Sequence, residues 1–248
     1  MSRFADNQFY ILGTNKRRTL EGEITMKHIV VDLEMNNLAK RFHAERSICR
    51  MEVIEIGAVV LDEDYSEIGS FKTLVKPQYS DVIHSTVARI TGITTEMVAN
   101  APVFEDALNM FLSWCHSIND DVRFYQWSES DLSQILSEII LKEIHLTPSD
   151  YALFEDWRDF QKEYENKLHL TRSVSLKNAI MYAGLEFEGQ EHDALWDARN
   201  TATLLKILRD PKLCKDKLER VIEVLTPTPL CASLGDLFNF SDLFEATV

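Results

Sequence analysis

The sequence predicts an α/β layered domain built on a mixed sheet. Three observations lead there, two of them patterns: three strand-patterned segments come first, and helix-patterned segments then alternate with a further strand. The third is size, since 248 residues suffice for one generous domain with a single core. Apolar residues at 45% and charged residues at 27% are ordinary globular usage, which argues against a disordered or fibrous chain.

Taken in order, residues 1–26 form a polar, weakly patterned leader. His28-Ile29-Val30-Val31-Asp32-Leu33-Glu34 is the first clear strand, Met51 to Leu61 the second and Ile68 to Val75 the third, ended by Pro77. Asp62-Glu63-Asp64 supplies the polar turn of an antiparallel hairpin between the last two. From Pro102, apolar residues at Val103, Phe104, Ala107, Leu108, Phe111 and Leu112 keep a helix period, with proline in the first turn. Val122 to Tyr125 is a short strand, and Leu132, Ile135, Leu136, Ile139 and Ile140 mark one face of the next helix. Ser175 caps a helix that runs to Ala183 and stops at Gly184; Ala194 to Leu208 is the last strong helix, followed by Pro211.

The main domain is therefore expected over 27–210, with a C-terminal helix and an acidic, aromatic tail over 211–248. In that tail Pro227 and Pro229 break any helix, and Gly235-Asp236-Leu237-Phe238 is echoed by Ser241-Asp242-Leu243-Phe244. Such paired apolar anchors are expected to pack on their own domain or on a sister subunit, with a separate partner protein as the alternative.

Charge and cysteine usage narrow the setting. The formal charge of −14 should repel polyanions globally, so any nucleic-acid contact must be local. Clustered carboxylates that hold metal ions would add to that count and be neutralised in use. No run of apolar residues is long enough for a membrane span, and MSRFADNQFY carries no secretory pattern. Four scattered cysteines, without a C-x-x-C pair, suit free thiols in a reducing cytoplasm.

Chemistry concentrates in three segments. In Asp32-x-Glu34, strand alternation points both carboxylates to one face while Val31 and Leu33 face the other layer. Two acids on a buried apolar strand are costly unless solvated, paired or bound to cations, and phosphoryl-transfer sites use such acids for hard metal ions. The plain alternative is a strand end whose acids meet water. In His192-Asp193-Ala194-Leu195-Trp196-Asp197, a histidine enters a helix and Asp197 lies about one turn inside it. Histidine titrates near neutrality and can take a proton from water; helix capping through Asp193 is the alternative. Asp131 opens the helix after the Val122–Tyr125 strand, either as an N-cap or as a site acid, with Glu129 a competing candidate.

In chain order, Asp32-x-Glu34, Asp131 and His192-x4-Asp197 resemble the three motifs of the DEDDh (DnaQ-like) 3′→5′ exonucleases. Glu55-Ile56-Gly57-Ala58-Val59, the Thr91-Gly92-Ile93-Thr94 turn followed by Phe104, and Ser175-Leu176-Lys177-Asn178-Ala179 to Gly184-Leu185 resemble intervening stretches of the same family. The similarity covers residues 28 to about 208 and looks closest to the branch that trims RNA.

The resemblance implies an RNase H-like mixed five-stranded sheet flanked by helices. It implies two Mg²⁺ or Mn²⁺ ions held by Asp32, Glu34, Asp131 and Asp197, with His192 as general base, and a substrate of RNA or single-stranded DNA with a free 3′ end. Asp32 would be the least replaceable ligand. The Thr91-Gly92-Ile93 turn would shape the pocket for the terminal nucleotide, with Met35 and Phe104 as candidates to stack on its base and core packing the alternative for Phe104.

Two features depart from the pattern: the second motif reads Trp-Ser-Glu-Ser-Asp, and Asn36 to Glu52 is a long connection carrying Lys40, Arg41, Arg46 and Arg50. That segment either grips a phosphate backbone or is an ordinary solvated face. Two rival readings are a hydrolase of short oligonucleotides or small phosphodiesters and a non-catalytic scaffold of the same fold. One histidine among four acids does not suit a zinc hydrolase.

Overall fold

The computed structural model describes residues 25–225, so the tail motifs and nearly all of the leader lie outside the described residues. Five strands form one sheet: β1 (Met26–Asn37), β2 (Met51–Leu61), β3 (Glu67–Leu74), β4 (Asp121–Gln126) and β5 (Trp157–Asp159), in the order β3-β2-β1-β4-β5. β1 pairs antiparallel with β2, and β2 with β3, whereas β1–β4 and β4–β5 are parallel. The sheet is mixed, as expected.

Alternation along β1 builds two layers. Ile29, Val31 and Leu33 pack with Phe104, Leu108 and Phe111 of α3 (Phe104–His116) and with Ile135 and Ile139 of α4 (Ser130–Leu141). Val30, on the other face, joins Tyr164 of α6 (Phe160–Lys167), Ala179 of α7 (Leu176–Tyr182) and Leu204 of α8 (Ala194–Arg209). α9 (Pro211–Leu225) closes that layer through Leu218.

Several boundaries differ from the sequence reading. β1 runs on to Asn37, because Asn36 is fully buried and pairs with Glu52. Pro102 lies outside α3 rather than in its first turn, and its carbonyl accepts from Lys76 N–H. Pro211 opens α9, where its fixed φ suits a first helical turn. β5 and four short helices have no period visible in sequence: α1 (Ser85–Thr91), α2 (Thr95–Val98), α5 (Pro148–Leu153) and α6. No helix among the described residues is long and apolar enough to cross a membrane.

Candidate active site

At the carboxyl ends of β1 and β4, acids from three distant segments converge. Asp32 and Glu34 leave β1 on the face opposite Leu33, toward α8. Asp131 is the second residue of α4 and buried; its charge and those of Asp197 and Glu34 act on Asp32. It is not the N-cap of α4, a place held by Glu129 without a side-chain bond. Glu129 is exposed and pairs with Lys162 at 2.6 Å, so helix phase turns Asp131 inward and Glu129 out.

His192 and Asp197 complete the cluster. Ligand atoms of Glu34, His192 and Asp197 lie within 4.8 Å of one another, and His192 Nδ1 is 3.9 Å from Glu34 Oε1. His192 has φ +61°, a left-handed conformation costing a non-glycine residue about 1 kcal/mol. Its N–H donates to Asp197 Oδ2 at 3.3 Å, holding the imidazole over the acids.

The start of α8 is pinned by Glu55 and Lys72, to which sequence reading gave no role, and by Asp193, the helix cap it offered. Glu55, paired opposite Glu34 across the sheet, accepts from Ala194 N–H at 2.9 Å. Lys72 of β3 bridges Glu55 at 3.2 Å and Asp193 at 2.5 Å. Asp193 caps the helix by accepting from the amides of Leu195 and Trp196. Gly57 makes this approach possible, since a Cβ there would sit 2.3 Å from the Ala194 carbonyl carbon. A charged residue inside the Ile/Val-rich run from Met51 to Leu61 was the available signal.

Charge is poorly balanced in the cluster. Burial, then repulsion from Asp131 and Asp197, pushes Asp32 well above the usual carboxylate range. Burial first and the neighbouring acids second raise Glu34 to about 8 and Asp197, mainly through burial, to about 7. Burial also raises Asp131. Asp197 Oδ1 is buried with no hydrogen-bond partner among the described residues. Such oxygens and repelling acids fit hard divalent cations, which would satisfy the orphaned atom and restore the ionised forms.

The expected terminal-nucleotide contacts fare unevenly. Gly92, at φ +77°, ends α1 and is exposed, while Thr91 and Ile93 are buried and hold the turn from beneath. Thr91 O accepts from Gln190 Nε2 at 3.1 Å, joining this turn to the loop that carries His192. Met35 is half-buried and packs toward the α3–α4 layer. Phe104 is a correction: it is fully buried and unable to stack on a base, because its place in the helix period turns it into the core.

A family model described as RNase_T exonuclease matches residues 29–205, a stretch that contains all four acids and His192. The chain belongs to the DEDDh 3′→5′ exonuclease family. It is similar to ERI1 exoribonuclease 2 of Danio rerio, 30% identical over 181 residues that cover 64% of this chain and 32% of that protein. The protein of the same name from Homo sapiens is 28% identical over 205 residues, covering 73% of this chain and 28% of the relative. The match thus spans about a third of the length of these relatives. Among solved structures, the nuclease domain of 3′hExo, a DEDDh family member bound to rAMP, superposes with a TM-score of 0.64 at 20% identity, covering 79% of this chain and 94% of that one. The RNase H-like sheet of this exonuclease family is thereby the fold of the chain.

Proposed function

We propose that this chain removes nucleotides from the 3′ end of RNA or single-stranded DNA, with divalent cations held by Asp32, Glu34, Asp131 and Asp197. One observation carries the reading: Glu34 and Asp131 are buried and Asp32 and Asp197 half-buried, these acids repel one another beside His192 with no cationic side chain among the described residues to neutralise them, and one carboxylate oxygen is orphaned. When bound, a pair of Mg²⁺ or Mn²⁺ ions supplies positive charge for the attacking and leaving oxygens of a phosphodiester.

The chain's own residues do the rest. The His192 imidazole accepts a proton from the attacking water as its oxygen bonds to phosphorus. The 3′-oxygen of the penultimate nucleotide leaves with the bonding electrons, and a nucleoside 5′-monophosphate departs. Gly92 and Gln190 border the space for the terminal nucleotide, beside His192. Lys72 and Glu55 fix the start of α8, and the His192 amide bonded to Asp197 ties the base to that helix.

The test uses matched 5′-labelled single-stranded RNA and DNA with Mg²⁺, Mn²⁺ or EDTA, for the wild-type chain and Asp32→Asn. A ladder shortening from the 3′ end, lost in EDTA and in the variant, is expected. Full activity in Asp32→Asn would overturn the reading, as would cleavage that survives EDTA. The −14 charge favours a second reading, a hydrolase of very short oligonucleotides, which a substrate length series separates from the first.

A further inference from the structure

Beyond the acids, β1 runs through Asn37 into the long connection to β2. Residues 38–50 carry Lys40, Arg41, Arg46 and Arg50 against Glu45 alone, a net +3 within a chain of −14. A groove of about 370 Å³ opens there, lined by Lys40, Arg41 and Arg46 from this segment and by Asp81, Val82 and His84 from the segment facing it. Its polarity is opposite to that of the site beside it.

The segment is built rather than loose. Leu38 and Cys49 are buried against Leu141, with Tyr79 packed beside them. Arg46 donates to Leu38 O at 2.5 Å, Leu38 N–H to Arg50 O at 3.0 Å, and Cys49 N–H to Glu45 O at 2.8 Å. The facing wall is tied to the same strand: the fully buried Asn36 accepts from His84 N–H at 2.9 Å and donates to Val82 O at 3.2 Å. Ser80 Oγ donates to Asn37 O at 2.9 Å. The groove and two of the acids, Asp32 and Glu34, therefore share one strand.

Two of the cations are available. Lys40 makes no ion pair among the described residues, and Arg41 pairs only with Asp81, both side chains being more than half exposed. A phosphate could displace that pair at little cost, because exposed ion pairs contribute about 0–1 kcal/mol. From Glu34 to Asn37 is roughly 10 Å at about 3.3 Å per strand residue, close to three stacked nucleotides at about 3.4 Å each.

We propose that this groove binds the phosphodiester backbone of the substrate strand, about three nucleotides upstream of the terminal one. The proposal rests on the exonuclease reading and deepens it. It explains how a strongly acidic chain would hold a polyanion: by a local strip of cations beside the site. The contacts are to phosphate, so they carry no base preference, and a dinucleotide is too short to reach them.

Binding tests this apart from catalysis. Asp32→Asn chains, with and without the added pair Lys40→Glu/Arg41→Glu, are titrated into a fluorescein-labelled single strand of about 12 nucleotides, followed by anisotropy in Mg²⁺. Lys215→Glu/Lys217→Glu on α9 makes the same charge change elsewhere and serves as control. The groove exchange is expected to raise Kd about tenfold and to lower the salt slope by about 1.4, at about 0.7 per phosphate contact, while the control shifts Kd less than twofold. In the hydrolytic chain, the ratio of kcat/KM for the long strand to that for a dinucleotide falls about tenfold. Equal Kd changes in groove and control variants, or an unchanged length ratio, would overturn the proposal. If the wild-type chain hydrolyses nothing while the groove exchange still weakens binding tenfold, the exonuclease reading fails and the groove stands.

Discussion

Two clusters of buried and half-buried carboxylates lie at the same end of β1 and β2, and they are finished differently. Around α4, Glu138 is fully buried yet satisfied: it accepts from Val53 N–H at 2.9 Å, Gln134 Nε2 at 3.0 Å and Lys142 Nζ at 2.5 Å. Glu52, also fully buried, accepts from the amides of Gln78 and Tyr79, with Lys142 3.5 Å away. Around Asp32, Glu34, Asp131 and Asp197, no lysine of the described residues enters and an oxygen is left orphaned. A structural acid cluster carries its counter-charge in the fold, whereas the candidate active site leaves that charge to be supplied from solution.

The largest expected contrast is between Asp32→Asn and Glu138→Ala. Asp32→Asn should lower kcat by about 10³-fold or more while the melting temperature stays equal or rises, because a repelling charge is removed. Glu138→Ala takes from the buried Lys142 its 2.5 Å partner, leaves it only Glu52 at 3.5 Å, and strips the Val53 amide of its acceptor, so it should cost about 3 kcal/mol of stability in denaturant unfolding. The comparison breaks if Asp32→Asn unfolds the chain or if Glu138→Ala melts like the wild type.

Lys72→Met comes next. Lys72 bridges Glu55 and Asp193 under the start of α8. Its loss should reduce cleavage about 10–100-fold and raise the Mn²⁺ concentration needed for half activity, as supporting-shell changes do. A pure loss of stability, with the metal requirement unchanged, would make Lys72 merely structural.

The pH response is smaller and has a definite sign. In the fold Glu34 is raised from 4.5 to about 8 and Asp197 from 3.8 to about 7. Between those values the folded chain holds more protons than the unfolded one, so these acids lend most stability below about pH 4 and lose it as pH rises toward 8. In EDTA, the melting temperature should therefore be lower at about pH 8 than at about pH 5.5, and Glu34→Gln should flatten the fall. A steeper fall in that variant would contradict the assignment. Smallest of all, Glu129→Gln should leave cleavage within about twofold, since its side chain points to solvent and pairs only with the exposed Lys162 among the described residues.

Much of this was legible in the residues because strand alternation and helix period translate directly into facing. β2 has the bounds its Ile/Val pattern predicts, and Asp32 and Glu34 share a face as a period of two requires. The choice between Asp131 and Glu129 was open in sequence but follows from helix phase, because Asp131, Gln134, Ile135 and Glu138 form one buried stripe. What could not be read was long-range. Glu55 meets Ala194 across 139 positions, and no local pattern announces that contact. β5, at three residues, is too short to show alternation. Phe104 had two readings from one helix period, and only packing shows it closed to any ligand.

The most direct test of the contrast is a calorimetric titration of Mn²⁺ into metal-free wild type, Asp197→Asn and Glu138→Gln. Saturable binding in the wild type and in Glu138→Gln, lost or weakened at least about tenfold in Asp197→Asn, is the predicted result. Undiminished binding in Asp197→Asn, or no binding in the wild type, would contradict the claim that these acids await a cation.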